Sequence, residues 1–242
     1  MIRLWGITDR GAVRRQNQDA YYISSSDPVV AIVCDGMGGA RAGNVASELA
    51  VTAAAEYLAE LDREDLLSDV DGHLVKAAEL ANQAVYLRAL SDPGCAGMGT
   101  TMVAALARED GATLLNIGDS RGYWMGEGEI RKITRDHSLV EDLVRRGQIS
   151  PEEARFHPQK NLITRALGSE PSARVDLYHI PFQAGQFLLL CSDGLSNVVS
   201  DPELLETVTG GEPADTCCRR LLELTLSRGA PDNVTCVLIS HS

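Results

Sequence analysis

The chain has 242 residues, of which 44% are hydrophobic and 23% are charged, and these proportions suit a globular protein with one large domain. A formal net charge of −12 argues against a surface that binds nucleic acid or an anionic membrane. No apolar run approaches the ~20 residues that cross a bilayer, and the N-terminal residues lack the features of a signal peptide. We therefore expect a cytoplasmic protein that does not associate with membranes.

In the N-terminal half, the spacing of the apolar residues predicts strands, helices and one long loop. The predicted elements are a strand at 2–8, an antiparallel pair of strands at 21–24 and 29–34, a helix at 43–61, an acidic surface loop at 62–72, and a helix at 74–89. Because two helices follow directly on the first strands, the order of elements is not a simple alternation of strands and helices.

From residue 100 onward, short strands separated by turns predict antiparallel meanders. The predicted strands are 101–107, 112–117, 122–125, 130–133, 175–180, 186–191 and 234–240. One predicted helix covers residues 138–146, and two more start at Ser150 and at Asp201. In the last predicted helix, Cys217 and Leu221 mark the buried side. The order Ser150-Pro151-Glu152-Glu153 gives a cap, a proline at the first helical position and a capping-box glutamate. Residues 157–172 are expected to be irregular.

The six cysteines do not form a recognisable metal or disulfide pattern. The sequence contains no Cys-x-x-Cys, and Cys34, Cys191 and Cys236 lie within apolar runs. The five histidines are scattered without the spacing of metal ligands. We expect the thiols to be small core residues in a reducing compartment, and we expect no zinc site.

Residues 29–39 (VVAIVCDGMGG) form an apolar run that ends in a carboxylate and glycines. The run lacks polar alternation, which predicts a strand buried on both faces, with Asp35 at its end. A glycine-rich turn here could cradle nucleotide phosphates, but Arg41 stands where a dinucleotide fingerprint has its third glycine, and there is no P-loop. Taken alone, this stretch favours the simpler interpretation, in which Asp35 is a turn former that hydrogen-bonds its own backbone.

The same pattern of an apolar strand with an aspartate at its end occurs at Asp119, Asp193 and Asp232 as well as at Asp35. If these strand ends converge, the carboxylates would repel one another strongly unless protons or cations lie among them. Carboxylate oxygens without histidine or cysteine favour Mg²⁺ or Mn²⁺. Two such ions that share a water suit hydrolysis of a phosphate ester. Arg14 is the candidate donor for the phosphate, because a guanidinium binds phosphate oxygens in pairs.

The ordered set of motifs resembles the metal-dependent serine/threonine protein phosphatases, the PPM or type-2C family, in its bacterial single-domain branch. The resemblance extends from residue 8 to residue 239. The motifs are Arg14-x-x-x-Gln18-Asp19, Asp35-Gly36-x-Gly38-Gly39, Gly97-Met98-Gly99-Thr100-Thr101, Gly118-Asp119-Ser120-Arg121, Cys191-Ser192-Asp193-Gly194-Leu195 and Asp232-Asn233-Val234-Thr235.

The resemblance implies an α+β fold, a four-layer α-β-β-α sandwich of two antiparallel sheets flanked by helix pairs. It implies two Mn²⁺ or Mg²⁺ ions bridged by Asp35, with the Gly36 carbonyl on one ion and with Asp193 and Asp232 on the other. In the bacterial branch a third ion can bind, to which Asp119 and Asp193 would contribute.

The resemblance also assigns supporting residues. Arg14 would hold the substrate phosphate, and residues at about 145–168 would form a flap beside the cleft of a single catalytic domain that spans residues 1–242. Gln18, Asp19 and Asn233 would contact the ligands or their waters and not the ions themselves.

The implied activity is hydrolysis of phosphoserine and phosphothreonine in proteins, by direct attack of a water shared by the ions and without a phosphoenzyme. The implied partners are phosphoproteins and a cognate serine/threonine kinase, and we expect a monomer. Relatives carry a histidine at the place of Met37 or of Ala40, so the general acid is unassigned here. A non-enzymatic relative that binds phosphoproteins is the alternative, but such a protein would be expected to have lost metal ligands that are present in this chain.

Overall fold

Eleven strands are described in this computed structural model, which covers residues 1–24 and 27–241 and, for residues 39–41, the backbone alone. They are β1 (Ile2–Asp9), β2 (Asp19–Ile23), β3 (Val29–Met37), β4 (Gly99–Thr100), β5 (Met102–Arg108), β6 (Gly111–Ile117), β7 (Arg121–Gly126), β8 (Glu129–Lys132), β9 (Asp176–Ile180), β10 (Phe187–Cys191) and β11 (Val234–His241).

The strands form two antiparallel sheets. The first sheet has the order β1-β11-β10-β7-β8, and the second has the order β2-β3-β5-β6-β9 with β4 paired to β3. The predicted hairpin of β2 and β3 is confirmed, and its register places Asp19 opposite Asp35. In the first sheet, Cys191 lies opposite Cys236. The chain thus crosses between the sheets several times, which brings segments distant in sequence to the same sheet end.

The helices are α1 (Gly39–Glu60), α2 (Arg63–Ser68), α3 (Val70–Ser91), α4 (Leu139–Arg145), α5 (Pro151–Phe156), α6 (Asp193–Ser196), α7 (Asp201–Thr209) and α8 (Ala214–Ser227). Helices α1 and α3 pack on the second sheet, and α7 and α8 pack on the first. The expected four-layer α+β sandwich is confirmed.

Strand β3 shows why the apolar run lacks polar alternation. Val30, Ile32 and Cys34 pack against the helices α1 and α3, whereas alternate residues such as Ala31 and Val33 pack between the two sheets. Both faces of the strand are therefore buried, and a carboxylate near its end leaves the core only where the strand reaches the edge of the sandwich.

The prediction of a loop at residues 62–72 is wrong, because this segment contains helix α2 and the start of α3. Asp62 accepts a hydrogen bond from the backbone N–H of Asp65, and Asp69 accepts one from that of Gly72. These acidic residues are helix caps, so their polarity marks two helix starts instead of a loop. Between them, Leu66 is buried in the helical layer.

Residues 139–168 contain two helices that bury none of their residues in the core. Neither α4 nor α5 contains a buried residue, and Phe156 at the end of α5 is 87% exposed. The predicted capping box at Ser150 is present, with Glu153 bonding back to the Ser150 backbone. The rest of this segment is irregular, as predicted, apart from isolated bridges of Ile163 to Ser138 and of Leu167 to Thr100.

All six cysteines are free and buried, as predicted. Within residues 1–24 and 27–241, none of the helices combines the length and the apolar character that a membrane crossing requires.

Candidate active site

The four aspartates at strand ends line one cleft of about 750 Å³. Asp35 lies in β3 and Asp119 follows β6, both in the second sheet, whereas Asp193 follows β10 and Asp232 precedes β11 in the first sheet. Arg14 lines the same cleft. The structure therefore brings together side chains that are up to 218 residues apart in sequence.

The backbone at Asp35 is fixed by two threonines of the Gly-Met-Gly-Thr-Thr motif. The hydroxyl of Thr101 accepts a hydrogen bond from the Asp35 N–H at 2.9 Å, and the hydroxyl of Thr100 donates to the Asp35 carbonyl at 2.8 Å. The next residue, Gly36, has no room for a side chain, because a Cβ would collide with the carbonyl oxygen of Gly43. The glycine thus allows the start of α1 to approach the carboxylate.

The loops that carry Asp193 and Asp232 contact each other. The Asn197 side chain donates to Asp193 Oδ2 at 3.0 Å, and the Asn233 N–H donates to Asp232 Oδ1 at 2.9 Å. Gly194 lies against the Asn233 carbonyl so closely that a Cβ would collide with it. The close approach of Gly194 to Asn233 keeps the two segments adjacent at the edge of the first sheet, and the two hydrogen bonds orient the carboxylates within them.

The loop that carries Asp119 is fixed by a buried histidine. Gly118 has φ +103°, which favours glycine, and its N–H donates to His137 Nδ1 at 3.2 Å. The His137 N–H in turn donates to the Gly118 carbonyl at 2.8 Å. His137 Nε2 lies 3.0 Å from Asp176 Oδ2, which orients the ring.

Asp19 lies behind the cleft and is only 8% exposed. Its Oδ2 accepts hydrogen bonds from the hydroxyls of Ser192 at 2.8 Å and Thr235 at 2.7 Å. Its Oδ1 is also buried, yet it has no hydrogen-bond partner among the described residues. The carboxyl therefore faces the aspartate cluster with one oxygen still available.

Asn233 connects the Arg14 segment to the Asp232 loop. Its side-chain oxygen accepts from the Gln18 N–H at 2.9 Å, and its side-chain nitrogen donates to the carbonyls of Arg10 and Gln16. The Arg14 guanidinium donates to Asp232 Oδ2 at 2.7 Å. The position of Arg14 beside the cleft is thus set largely by the Asn233 side chain.

Four carboxyl groups at the cleft have a raised pKa, namely those of Asp19, Asp35, Asp119 and Asp193. Burial, aided by neighbouring aspartates, raises the pKa of Asp19 and the pKa of Asp119 to about 7 in each case. The same two causes raise the pKa of Asp35 well above its usual value and also raise the pKa of Asp193. If these carboxyls were ionised, the cluster would have an excess of negative charge that the nearby Arg14 and Arg121 do not compensate.

This donor set fits hard divalent cations. It consists of the carboxylate oxygens that line the cleft, with the unpartnered Asp19 Oδ1 behind them, in a cluster whose negative charge a cation would neutralise. As the side chains stand, no three His, Cys, Asp or Glu residues within 1–24 and 27–241 surround one point closely enough to hold an ion. One oxygen of Asp232 is turned to Arg14 instead. The role of the aspartates as metal ligands therefore stays a prediction.

Comparison with known proteins decides the family. A family model described as "Protein phosphatase 2C" matches residues 11–227. The chain belongs to the protein phosphatase 2C family.

Individual relatives agree with this assignment over almost the whole chain. The chain is 39% identical to the serine/threonine phosphatase stp of Listeria innocua over 238 residues, which are 97% of this chain and 94% of that protein. The structure of the S. agalactiae serine/threonine phosphatase is similar at a TM-score of 0.93 and 35% identity, with 100% of each chain covered. The catalytic domain of PstP in complex with two manganese ions is similar at a TM-score of 0.86 and 38% identity, over 99% of this chain and 97% of that one.

The family resemblance read from the sequence is confirmed, and the chain is a protein phosphatase of this family. Sequence reasoning did not single out Asn161 and Ile163, which line the cleft from the segment after α5. Both belong to the segment at about 145–168 that the resemblance suggested as a flap, but no motif marks these two residues. Met37 also lines the cleft, whereas the side chain of Ala40 lies outside the described residues.

Proposed function

We propose that the chain is a Mn²⁺- or Mg²⁺-dependent phosphatase of phosphoserine and phosphothreonine in proteins. The observation that carries the proposal is the single cleft lined by Asp35, Asp119, Asp193 and Asp232, whose clustered negative charge calls for cations. The relatives named serine/threonine phosphatase support the substrate class, and the PstP complex with two manganese ions supports two ions.

The family resemblance suggests which residues would hold the ions, and all of them line the cleft. We propose that Asp35 bridges two ions, that the Gly36 carbonyl contacts one, and that Asp193 and Asp232 contact the other. Asp119, beside Asp193, would contribute to a third ion. Support comes from the lining of the cleft by all five residues and from the raised pKa values of Asp35, Asp119 and Asp193.

When bound, the ions would lower the pKa of a water and neutralise charge on the phosphate. We propose that the phosphoryl group passes directly to water, without a phosphoenzyme. Among the described residues that line the cleft, Thr101 is the only one with a hydroxyl group. Its Oγ1 is hydrogen-bonded to the Asp35 N–H and to the Ser120 hydroxyl, so it is not free to attack a phosphate.

We propose that Asp19, Gln18 and Asn233 hold the metal ligands or their waters in place without contacting the ions themselves. Asn233 holds the backbone of the Arg14 segment, and the Gln18 carbonyl accepts the Gly36 N–H at 3.0 Å. Asp19 has its free Oδ1 available for a water bound in the cluster.

Arg14 would hold the substrate phosphate. Its guanidinium is half exposed at the cleft, where its contact with Asp232 uses one nitrogen and leaves other N–H donors for phosphate oxygens. We further propose one catalytic domain across residues 1–242, with the segment at about 145–168 as a flap. The absence of buried residues in α4 and α5 and the cleft-lining Asn161 support this role.

The substrates that we propose are cytoplasmic proteins phosphorylated by a cognate serine/threonine kinase, and we propose that the enzyme acts on them as a monomer. Six free and buried thiols suit a reducing compartment.

Hydrolysis of p-nitrophenyl phosphate and of a phosphothreonine peptide tests the proposed function. We expect turnover of both with Mn²⁺ and none with EDTA, with recovery when Mn²⁺ is added back. Activity that persists in EDTA would contradict the metal mechanism. Binding of the phosphopeptide without hydrolysis under every metal condition would instead favour a phosphoprotein-binding relative without catalysis.

Replacement of Arg14 by alanine should raise the KM for the phosphopeptide by about tenfold or more, since a charge-assisted contact to phosphate contributes about 1.5–3 kcal/mol. Arg14→Lys should recover part of this loss, because lysine keeps the charge but not the paired geometry. Steady-state kinetics at saturating Mn²⁺ separate KM from kcat. A large fall in kcat at an unchanged KM would count against a phosphate-binding role.

A further inference from the structure

Positive charge is concentrated in two segments beside the cleft of an acidic protein. The chain has 34 acidic and 22 basic residues, yet residues 10–18 and residues 154–168 contain no Asp or Glu. The first segment carries Arg10, Arg14 and Arg15, and the second carries Arg155, Lys160 and Arg165. Both segments contribute walls to the cleft, through Arg15 in one and Asn161 in the other.

Four of these six cations form no ion pair within residues 1–24 and 27–241, namely Arg10, Arg15, Arg155 and Lys160, and two of the four lie at or next to the lining of the cleft. Arg14 is paired with Asp232, and Arg165 with Asp176. Arg15 and Lys160 are exposed, and neither forms an ion pair with any residue in the described parts of the chain. Arg15 lines the cleft directly, and Lys160 precedes Asn161, which lines the cleft from the second segment.

Apolar surface lies next to these charges. Ile163 lines the cleft, and the neighbouring Leu162 is 49% exposed. The flap helices beyond them have no buried residues. A peptide that entered the cleft would therefore meet basic side chains on two sides and an aliphatic contact on one.

We propose that Arg15 and Lys160 form a specificity surface for acidic phosphopeptides, in which Asp or Glu residues flank the phosphorylated residue. The proposal rests on the proposed function and names its substrate class. Complementary charge steers encounter and discriminates among partners. The rest of the protein, which is acidic, repels such a segment, so the attraction must come from these two walls.

The test compares two phosphothreonine peptides that differ only in flanking residues, Asp in one and Asn in the other. Wild-type enzyme with Mn²⁺ at low salt should show a kcat/KM about tenfold higher for the Asp peptide. The ratio should shrink in high salt, because the charges are exposed and screened. Lys160→Glu and Arg15→Glu should each reduce the ratio by a factor of about two to five, the range measured for single exposed ion pairs.

Lys76→Glu in α3 is the matched control, because Lys76 is exposed, changes charge identically and does not line the cleft. It should keep the wild-type ratio. A peptide with flanking Lys should in turn be a better substrate for Lys160→Glu than for the wild type.

Equal kcat/KM values for the Asp and Asn peptides would overturn this inference but not the proposed function. A preference for the Asp peptide that persists in both Lys160→Glu and Arg15→Glu would do the same. No hydrolysis of either peptide or of p-nitrophenyl phosphate would overturn the proposed function and this inference together.

Discussion

Replacement of Asp193 by asparagine should lower kcat by at least about a hundredfold while the fold survives. Loss of a residue that merely supports a metal ligand costs about 10–100-fold, so loss of a ligand should cost at least as much. The fold should survive because Asn197 can still bond to the amide oxygen, and because the aspartate is only one of several like charges. Asp232→Asn should behave in the same way. Steady-state turnover of p-nitrophenyl phosphate at a series of Mn²⁺ concentrations measures both losses.

Asp110→Asn is the matched control for these variants. Asp110 has a side chain that is 80% exposed and pairs only with Arg108 at a surface turn, so its replacement should leave kcat near the wild-type value. Turnover of Asp193→Asn or Asp232→Asn within about threefold of this control would contradict the assignment of the carboxylate as a ligand.

The metal-free protein should become less stable as the pH rises from about 4 to about 7. Burial raises the pKa of Asp19 and the pKa of Asp119 from 3.8 to about 7. Between these pH values the unfolded carboxyls lose their protons while the folded ones keep them, so the unfolded state binds fewer protons and the free energy of unfolding falls with rising pH. One such carboxyl accounts for up to about 4 kcal/mol at 1.36 kcal/mol per pKa unit.

Thermal melts in EDTA at pH 5 and pH 7.5 measure this effect, with a higher Tm expected at pH 5. Mn²⁺ should raise Tm more at pH 7.5 than at pH 5, because bound cations replace the protons of the cluster. Asp19→Asn cannot titrate, and it keeps an oxygen for the hydroxyls of Ser192 and Thr235. Its Tm in EDTA should therefore depend less on pH. An unchanged pH dependence of Tm would show that titration of Asp19 does not cause the loss of stability.

The sequence was informative about the site wherever a buried strand ended in a carboxylate. The runs before Asp35 and Asp193 have no polar alternation, because β3 and β10 are each covered on both faces. Such strands can expose a charge only at their ends, so their aspartates could be predicted to meet at an edge of the sandwich.

Other features could not be read from the sequence because they depend on distant contacts. The pairing of Arg14 with Asp232 joins residues 218 positions apart, and the amide of Asn233 is used to hold the Arg14 segment. Helix α2 was missed because its caps, Asp62 and Asp69, also contribute to an acidic stretch that is typical of a loop. The resemblance implied that the segment at about 145–168 lies beside the cleft, but which of its side chains line the cleft depends on how the chain returns after α5.

Anomalous diffraction from crystals soaked in Mn²⁺ tests the convergence of the aspartates most directly. We expect two manganese peaks in the cleft, both at about 2.0–2.2 Å from oxygens of Asp35, the distance typical of small hard divalent ions. Asp193 and Asp232 should contact one of the two ions, with Asp232 Oδ2 released from Arg14. Manganese that binds elsewhere, or a cleft without a peak at millimolar Mn²⁺ while the enzyme is active, would contradict the convergence of the aspartates on shared ions.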